Sequence, residues 1–142
     1  MSSGTIPARV LLVEDDVPLA ATVSKLLRAR GHEARVAASA EESSEMIRDG
    51  YRPTIVLLDI NLPGDSGWGF LRSGALAEAG NPPVFVVSAT AVPPARLREF
   101  GCAGYLPKPF AVPTLIEIVE RHHSEAKGGP EEISARGGFD AL

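Results

Sequence analysis

The sequence predicts an α/β domain, a parallel sheet with helices on both faces. Three observations lead there. The runs RVLLV (9–13), TIVLLD (54–59) and VFVVS (84–88) are β-branched-rich and lack polar alternation, as strands buried on both faces require. The segments between the strands carry apolar residues at helical spacing. Strand and helix alternate five times along the chain, the order that gives a parallel sheet covered on both sides.

The elements follow in turn. After RVLLV, residues Leu19, Val23, Leu26 and Leu27 trace a helical stripe, with Pro18 tolerated in the first turn and Gly31 as a stop. EARVA (33–37) is a weaker second strand. Ser39 followed by Glu42 is a capping-box signature that opens a helix to about Asp49. TIVLLD is the third strand, and a helix from near Ser66 ends before the sequence GNPP. VFVVS is the fourth strand. A short helix follows Pro93 and Pro94 and ends at Gly101; AGYLP (103–107) is the fifth strand. The last helix starts near Val112 and buries Leu115, Ile116 and Val119. The domain is expected to span 8–123, after a disordered start at 1–7. Residues 124–142, with two Gly pairs, a Pro and few apolar anchors, read as a flexible tail or linker.

Composition narrows the function. A chain of 142 residues with 44% apolar and 23% charged residues suits one globular domain. The net charge of −4, with Lys and Arg scattered, argues against a nucleic-acid or membrane surface. Cys102 is the only cysteine, so no intrachain disulfide forms and a reducing compartment fits. The start lacks an apolar signal core and the apolar runs are one strand long. A cytoplasmic protein is expected, binding neither membrane nor nucleic acid directly.

The chemistry gathers at the carboxyl ends of the strands, where sites form in such sheets. The first strand ends in VEDDVP, giving Glu14, Asp15 and Asp16, and the third ends in Asp59. Asp16, next to the helix, is equally well read as a cap. Glu14, Asp15 and Asp59 converge on one edge, where carboxylates repel one another unless a cation joins them. Hard oxygen donors suit Mg²⁺, which also favours a phosphate partner. The fourth strand ends in Ser88 and the fifth runs into Lys108, between Pro107 and Pro109. Singly, a serine there is a turn former and a lysine a surface charge. The ordered set of acids, Ser and Lys is far more specific.

On LLVEDD, IVLLDINLPGDSGWGFL, VFVVSAT and GCAGYLPKPF, the chain resembles a response-regulator receiver domain of two-component signalling, from about Ala8 to His123. The resemblance implies a flavodoxin-like, doubly wound five-stranded sheet of order 2-1-3-4-5. It implies that Asp59 is the phosphoacceptor, that Asp15 binds Mg²⁺ directly and Glu14 through water, and that the Asn61 backbone carbonyl is a further ligand. Lys108 would bind a phosphoryl oxygen, Ser88 would be the switch hydroxyl, and Tyr105 the aromatic that follows it. The Lys108–Pro109 bond would be cis. Such a domain is a signalling element that catalyses its own phosphorylation and slowly loses the phosphoryl group. Its partners would be a sensor histidine kinase or histidine phosphotransfer protein and an output protein; a homodimer is compatible with it.

Three other readings compete with this one. A haloacid-dehalogenase-like phosphatase or phosphotransferase carries a second Asp two residues after its nucleophile, where this chain has Asn61. A flavodoxin-like cofactor binder needs a phosphate-cradling loop where this chain has VEDDVP. A receiver-like binding module without phosphorylation has no need of the complete acid–Ser–Lys set. Trp68 reads as helix packing, His122 and His123 as cations at a helix C-terminus, and Cys102 as structural. The stretch between Ser88 and Lys108 is about two residues shorter than is usual in the family, so the fourth helix should be short or displaced.

Overall fold

Each of the three buried runs becomes a central strand. The computed structural model describes residues 6–123; the expected tail at 124–142 and most of the expected disordered start lie outside the described residues. The elements are β1 (Arg9–Val13), α1 (Val17–Ala29), β2 (Glu33–Ala37), α2 (Ala40–Arg48), β3 (Ile55–Asp59), α3 (Gly67–Arg72), β4 (Val84–Ser88), α4 (Pro94–Glu99), β5 (Gly104–Pro107) and α5 (Val112–His122). A 3-10 segment, Ala75–Ala79, lies between α3 and β4. The strands form one sheet in the order β2-β1-β3-β4-β5, and every neighbouring pair is parallel.

Side chains alternate across the strands and so build two cores. Leu11, Val13, Val56, Leu58 and Val86 meet Ile47, Phe70 and Leu97 on one face. Val10, Leu12, Ile55, Leu57 and Phe85 meet Val23, Leu27, Leu115 and Val119 on the other. Every residue of β3 and β4 is buried. Burying one such side chain contributes roughly 1.5–3 kcal/mol, and a one-residue slip would exchange the two faces. The register is thereby set, and it aligns the strand ends. Val13 pairs with Leu58, Asp59 with Val87, and Ser88 with Pro107, so the polar residues ending β1, β3, β4 and β5 share one edge.

The helix starts are capped from within the sequence. Asp16 accepts from the Leu19 amide at 3.1 Å, which gives it the capping role. Ser39 accepts from the Glu42 amide at 3.1 Å. Glu42 returns the bond to the Ala38 amide at 2.8 Å, one residue ahead of the usual box partner.

Three expectations need correction. Leu26 sits on the helical stripe of α1 by spacing but is 40% exposed, because Val23 and Leu27 already fill the contact with the sheet. The helix expected from Ser66 to the GNPP sequence breaks after Arg72. The Ser73 hydroxyl donates back to the Phe70 carbonyl at 2.6 Å, and Gly74 turns left-handed at φ +79°, a conformation that strains residues with a Cβ. His122 and His123 do end α5, but His122 is buried with its ring 5.1 Å from that of Phe85. Burial pushes the His123 pKa down, favouring the neutral ring over the expected cation.

A staple at the opposite edge of the sheet was not foreseen. The buried His32 ring accepts the Ala8 amide at Nδ1 (2.9 Å), which leaves Nε2–H to donate to Glu120 (2.9 Å). Arg30 holds both Glu120 oxygens at 2.6 and 2.8 Å. The start of β1, the α1–β2 turn and α5 are joined by this one cluster.

The fourth helix is short, as expected, at six residues. Two turns have little intrinsic stability, so packing must hold them. Leu97 enters the core at 3% exposure. Phe100 stacks on Trp68 of α3, with ring centroids 5.1 Å apart and planes inclined by 26°. Trp68 is thus a packing residue.

Two predictions follow from these contacts. Phe100→Ala should cost about 1–2 kcal/mol in urea unfolding, the area and stacking contribution of a half-buried ring. Its faster hydrogen exchange should concentrate in α4. The Arg30 hydrogen bond, followed by that of His32, holds the Glu120 carboxyl below its ordinary value of 4.5. The stabilising contribution is therefore complete above 4.5 and is lost as the pH falls through the lowered value. Glu120→Gln should flatten the pH dependence of the urea midpoint in that acid window.

Candidate functional site

The aligned strand ends bring Glu14, Asp59 and Lys108 into contact, with Ser88 at the neighbouring strand end. Glu14 follows β1 directly and is held there by its own amide, which donates to the Ala37 carbonyl at 2.9 Å. Asp59 closes β3. The Lys108 amide donates to the Ser88 carbonyl at 2.8 Å, which carries the β4–β5 ladder past Pro107 and aims the lysine back over the sheet. The Lys108–Pro109 bond is cis.

Charge dominates here. Glu14 and Asp59 are each 4% exposed. The Lys108 ammonium lies 2.9 and 3.0 Å from the two Glu14 oxygens and 3.2 Å from Asp59 Oδ2. Burial raises the Glu14 pKa, with Asp59 adding to the rise and Lys108 opposing it. For Lys108, burial acts to lower the pKa, but the bonds and charges of Glu14 and Asp59 outweigh it and leave the ammonium favoured. Asp59 Oδ1 also accepts from the Asn61 amide at 2.9 Å, and Glu14 from the Asp16 amide at 3.1 Å.

Asp15 is exposed, beside the two buried acids. One oxygen from each of Glu14, Asp15 and Asp59 can be chosen so that all lie within 4.8 Å of one another. This is an all-oxygen donor set of the kind that fits Mg²⁺, with Asp15 on the solvent side where water ligands would remain.

Backbone packing fixes the loop after Asp59. The Gly67 amide donates to the Ile60 carbonyl at 3.0 Å. A Cβ on Gly67 would lie 2.7 Å from the Asp59 carbonyl oxygen and 2.9 Å from Ile60 Cα, so only glycine fits where α3 begins against the strand end. Ser66 caps α3 through the Gly69 amide at 3.2 Å.

Of the sequence-predicted site residues, Glu14, Asp15, Asp59 and Lys108 gather at one point, and Asn61 links Asp59 to Ser88. The fully buried Ser88 lies 3.3 Å from Asn61 Oδ1. Tyr105 stands further out, with its hydroxyl donating to the Thr90 carbonyl at 3.2 Å. The sequence reading missed Thr90. Its amide donates to Ser88 Oγ at 3.0 Å and its hydroxyl lies 2.9 Å from the same atom. The signal available was a second hydroxyl two residues after a strand-end serine, the spacing at which Ser side chains bond the backbone. Also unforeseen is a groove of about 340 Å³ beside Lys108, lined by Asp16, Leu19, Ala89, Pro109 and Phe110.

The chain matches the family model described as "Response regulator receiver domain" over residues 10–120. It is 31% identical over 128 residues to the polar-differentiation response regulator DivK of Brucella anthropi, covering 85% of this chain and all of DivK. It is 29% identical over 131 residues to the cell cycle transcriptional regulator CtrA of Caulobacter vibrioides, covering 91% of this chain but only 56% of CtrA. The chain thus spans little more than half the length of that relative. Among solved structures, the Vibrio cholerae chemotaxis protein CheY4 superposes with a TM-score of 0.74 at 25% identity, covering 82% of this chain and 99% of CheY4.

Removing the shared cation should expose the repulsion it balances. In metal-free buffer, Lys108→Met should lose about 2–4 kcal/mol of stability, as expected when one partner of a buried ion pair is deleted. Adding Glu14→Gln should restore part of it. Urea unfolding of the single and double variants checks both outcomes.

Proposed function

The chain belongs to the response regulator receiver domain family, a family of signalling domains, and from that premise we propose that Asp59 is its phosphoacceptor. The observation that carries the assignment is the placement of Asp59. It is the acid at the end of a fully buried strand, bonded to Lys108 on one oxygen and to the Asn61 amide on the other.

The chemistry follows from these contacts. A carboxylate oxygen of Asp59 forms a bond to phosphorus while the donor's bond to phosphorus breaks, the P–N bond of a phosphohistidine or the P–O bond of acetyl phosphate. The leaving group keeps the electron pair. Lys108 neutralises charge on the transferred phosphoryl oxygens once it turns from the carboxylates towards them. The Asn61 amide orients the nucleophile. Glu14, Asp15, Asp59 and the Asn61 carbonyl would hold Mg²⁺; when bound, the ion supplies further charge neutralisation on the phosphoryl oxygens. The same arrangement supports slow hydrolysis of the aspartyl phosphate, which resets the domain.

The phosphodonor is a sensor histidine kinase or a histidine phosphotransfer protein. The groove supports a protein donor, because Leu19, Pro109 and Phe110 offer it apolar area next to Lys108. Phosphorylation changes charge at the Asp59 edge, and Ser88 and Tyr105 pass the change to a surface that an output protein reads. No described helix is long and apolar enough to cross a membrane; action in the cytoplasm fits a kinase-coupled domain.

Two measurements test this reading. Treatment with acetyl phosphate and Mg²⁺ should add one phosphoryl mass to the wild type and none to Asp59→Asn; equal modification of both would refute the assignment. Asp15→Asn should weaken Mg²⁺ binding by tenfold or more, whereas Lys108→Ala should leave it nearly unchanged and impair phosphorylation. Isothermal titration with Mg²⁺ separates the two.

A further inference from the structure

We propose that Thr90 is a positioning residue that keeps the Ser88 hydroxyl turned away from Asp59 until phosphorylation draws it over. The inference rests on the reading of Asp59 as phosphoacceptor and adds how that site is restrained.

Ser88 Oγ is engaged on all sides by other groups. It accepts from the Thr90 amide at 3.0 Å, pairs with Thr90 Oγ1 at 2.9 Å and lies 3.3 Å from Asn61 Oδ1. A hydroxyl offers one donor and two acceptor positions. Donation to Asn61, with acceptance from the Thr90 amide and hydroxyl, fills them, and none of these bonds is made to Asp59 itself. Ser88 itself is fully buried, so its hydroxyl does not lose a partner without cost. To serve a phosphoryl oxygen, Ser88 must give up bonds, and Thr90 supplies two of the three.

Thr90 also holds the other switch residue. Its carbonyl accepts from the Tyr105 hydroxyl at 3.2 Å. One exposed residue on the loop after β4 therefore fastens Ser88 through its amide and hydroxyl and Tyr105 through its carbonyl. If the loop follows Ser88 inward, the acceptor of Tyr105 moves with it. The restraint and the release of both residues are one event.

The side-chain share of this restraint can be removed alone. Thr90 is exposed, so Thr90→Val removes the hydroxyl without opening a core cavity, and Thr90→Ser restores it. The test is the affinity for beryllofluoride in Mg²⁺ buffer, read by ¹⁹F NMR, with urea unfolding of the unmodified proteins alongside. Thr90→Val should bind beryllofluoride roughly three- to tenfold more tightly than wild type, the range expected for losing one competing hydrogen bond. Thr90→Ser should bind like wild type. In a Ser88→Ala background, Thr90→Val should have no effect on affinity, because the restrained hydroxyl is gone. A merely structural role for Thr90 would lower stability and leave affinity unchanged. Unchanged or weaker affinity in Thr90→Val, or an equal gain in the Ser88→Ala background, overturns the proposal while leaving the phosphoacceptor reading intact. Failure of the wild type itself to bind beryllofluoride overturns that reading, and the proposal with it.

Discussion

One lysine reconciles two buried carboxylates, and the edge of the sheet is arranged around it. Glu14, just after β1, and Asp59, at the end of the adjacent β3, are almost wholly removed from water. Left alone, they would repel and one would take up a proton. Lys108 follows β5, on the far side of β4 from Asp59. Only a long, flexible stem spans that distance while its head bonds both acids, at 2.9–3.2 Å. The β4–β5 pairing up to Ser88 and Pro107, and the Lys108 amide bond just beyond it, aim that stem. The arrangement is balanced without being saturated. The two acids with Asp15 still present an oxygen set that could hold a divalent cation beside the lysine.

Two contact chains lead away from Asp59. One runs through Asn61 to the hydroxyls of Ser88 and Thr90 and on to Tyr105. It is built of hydrogen bonds and so responds to charge. The other runs through the backbone, where Gly67 touches the Asp59 carbonyl and the next residue, Trp68, stacks on Phe100 of the α4 end. It is built of close packing and so responds to displacement. Both reach the segment between β4 and β5, one through its first residues and the other through its last helical turn. The two chains differ in their physics and so can be separated by substitution.

Most of the fold was legible because burial and spacing coincide. The strand ranges for β1 and β4 match the sequence reading residue for residue, since uninterrupted apolar runs in a doubly covered sheet leave no other face to choose; the half-exposed β2 at the sheet's edge matches as well. The sheet order was legible only through the family resemblance; apolar runs do not say which strand lies beside which. Leu26 and the break at Gly74 were misread for one shared reason. Spacing says which residues could face a core, whereas the contact area available, and a local Ser73 side-chain bond, decide which do. That the strand-end acids, Ser88 and Lys108 meet at one edge was readable because parallel strands bring their carboxyl ends together. Thr90 was not, because its role depends on the path of a loop. The His32–Glu120–Arg30 staple was not, because it joins residues about 90 positions apart.

The character of the α4 attachment explains why this helix can serve as the yielding part of the domain. Arg96 sits over Trp68 at 5.1 Å and over Phe100 at 5.7 Å, and Arg72 lies over Phe100 at 5.4 Å. Arg96 Nε is buried without a hydrogen bond, its Glu99 neighbour standing off at 4.0 Å. Contacts of this kind, cation over ring and ring over ring, are broad in geometry and individually worth about 1 kcal/mol. A hydrogen-bonded cap would hold α4 at one angle; Pro93, at the N-cap, makes no side-chain cap bond. The helix is therefore fastened at its centre by Leu97 and steadied at its end by contacts that tolerate sliding. A shift of α3 or of the Thr90 loop can tilt it without first breaking a strong directional bond.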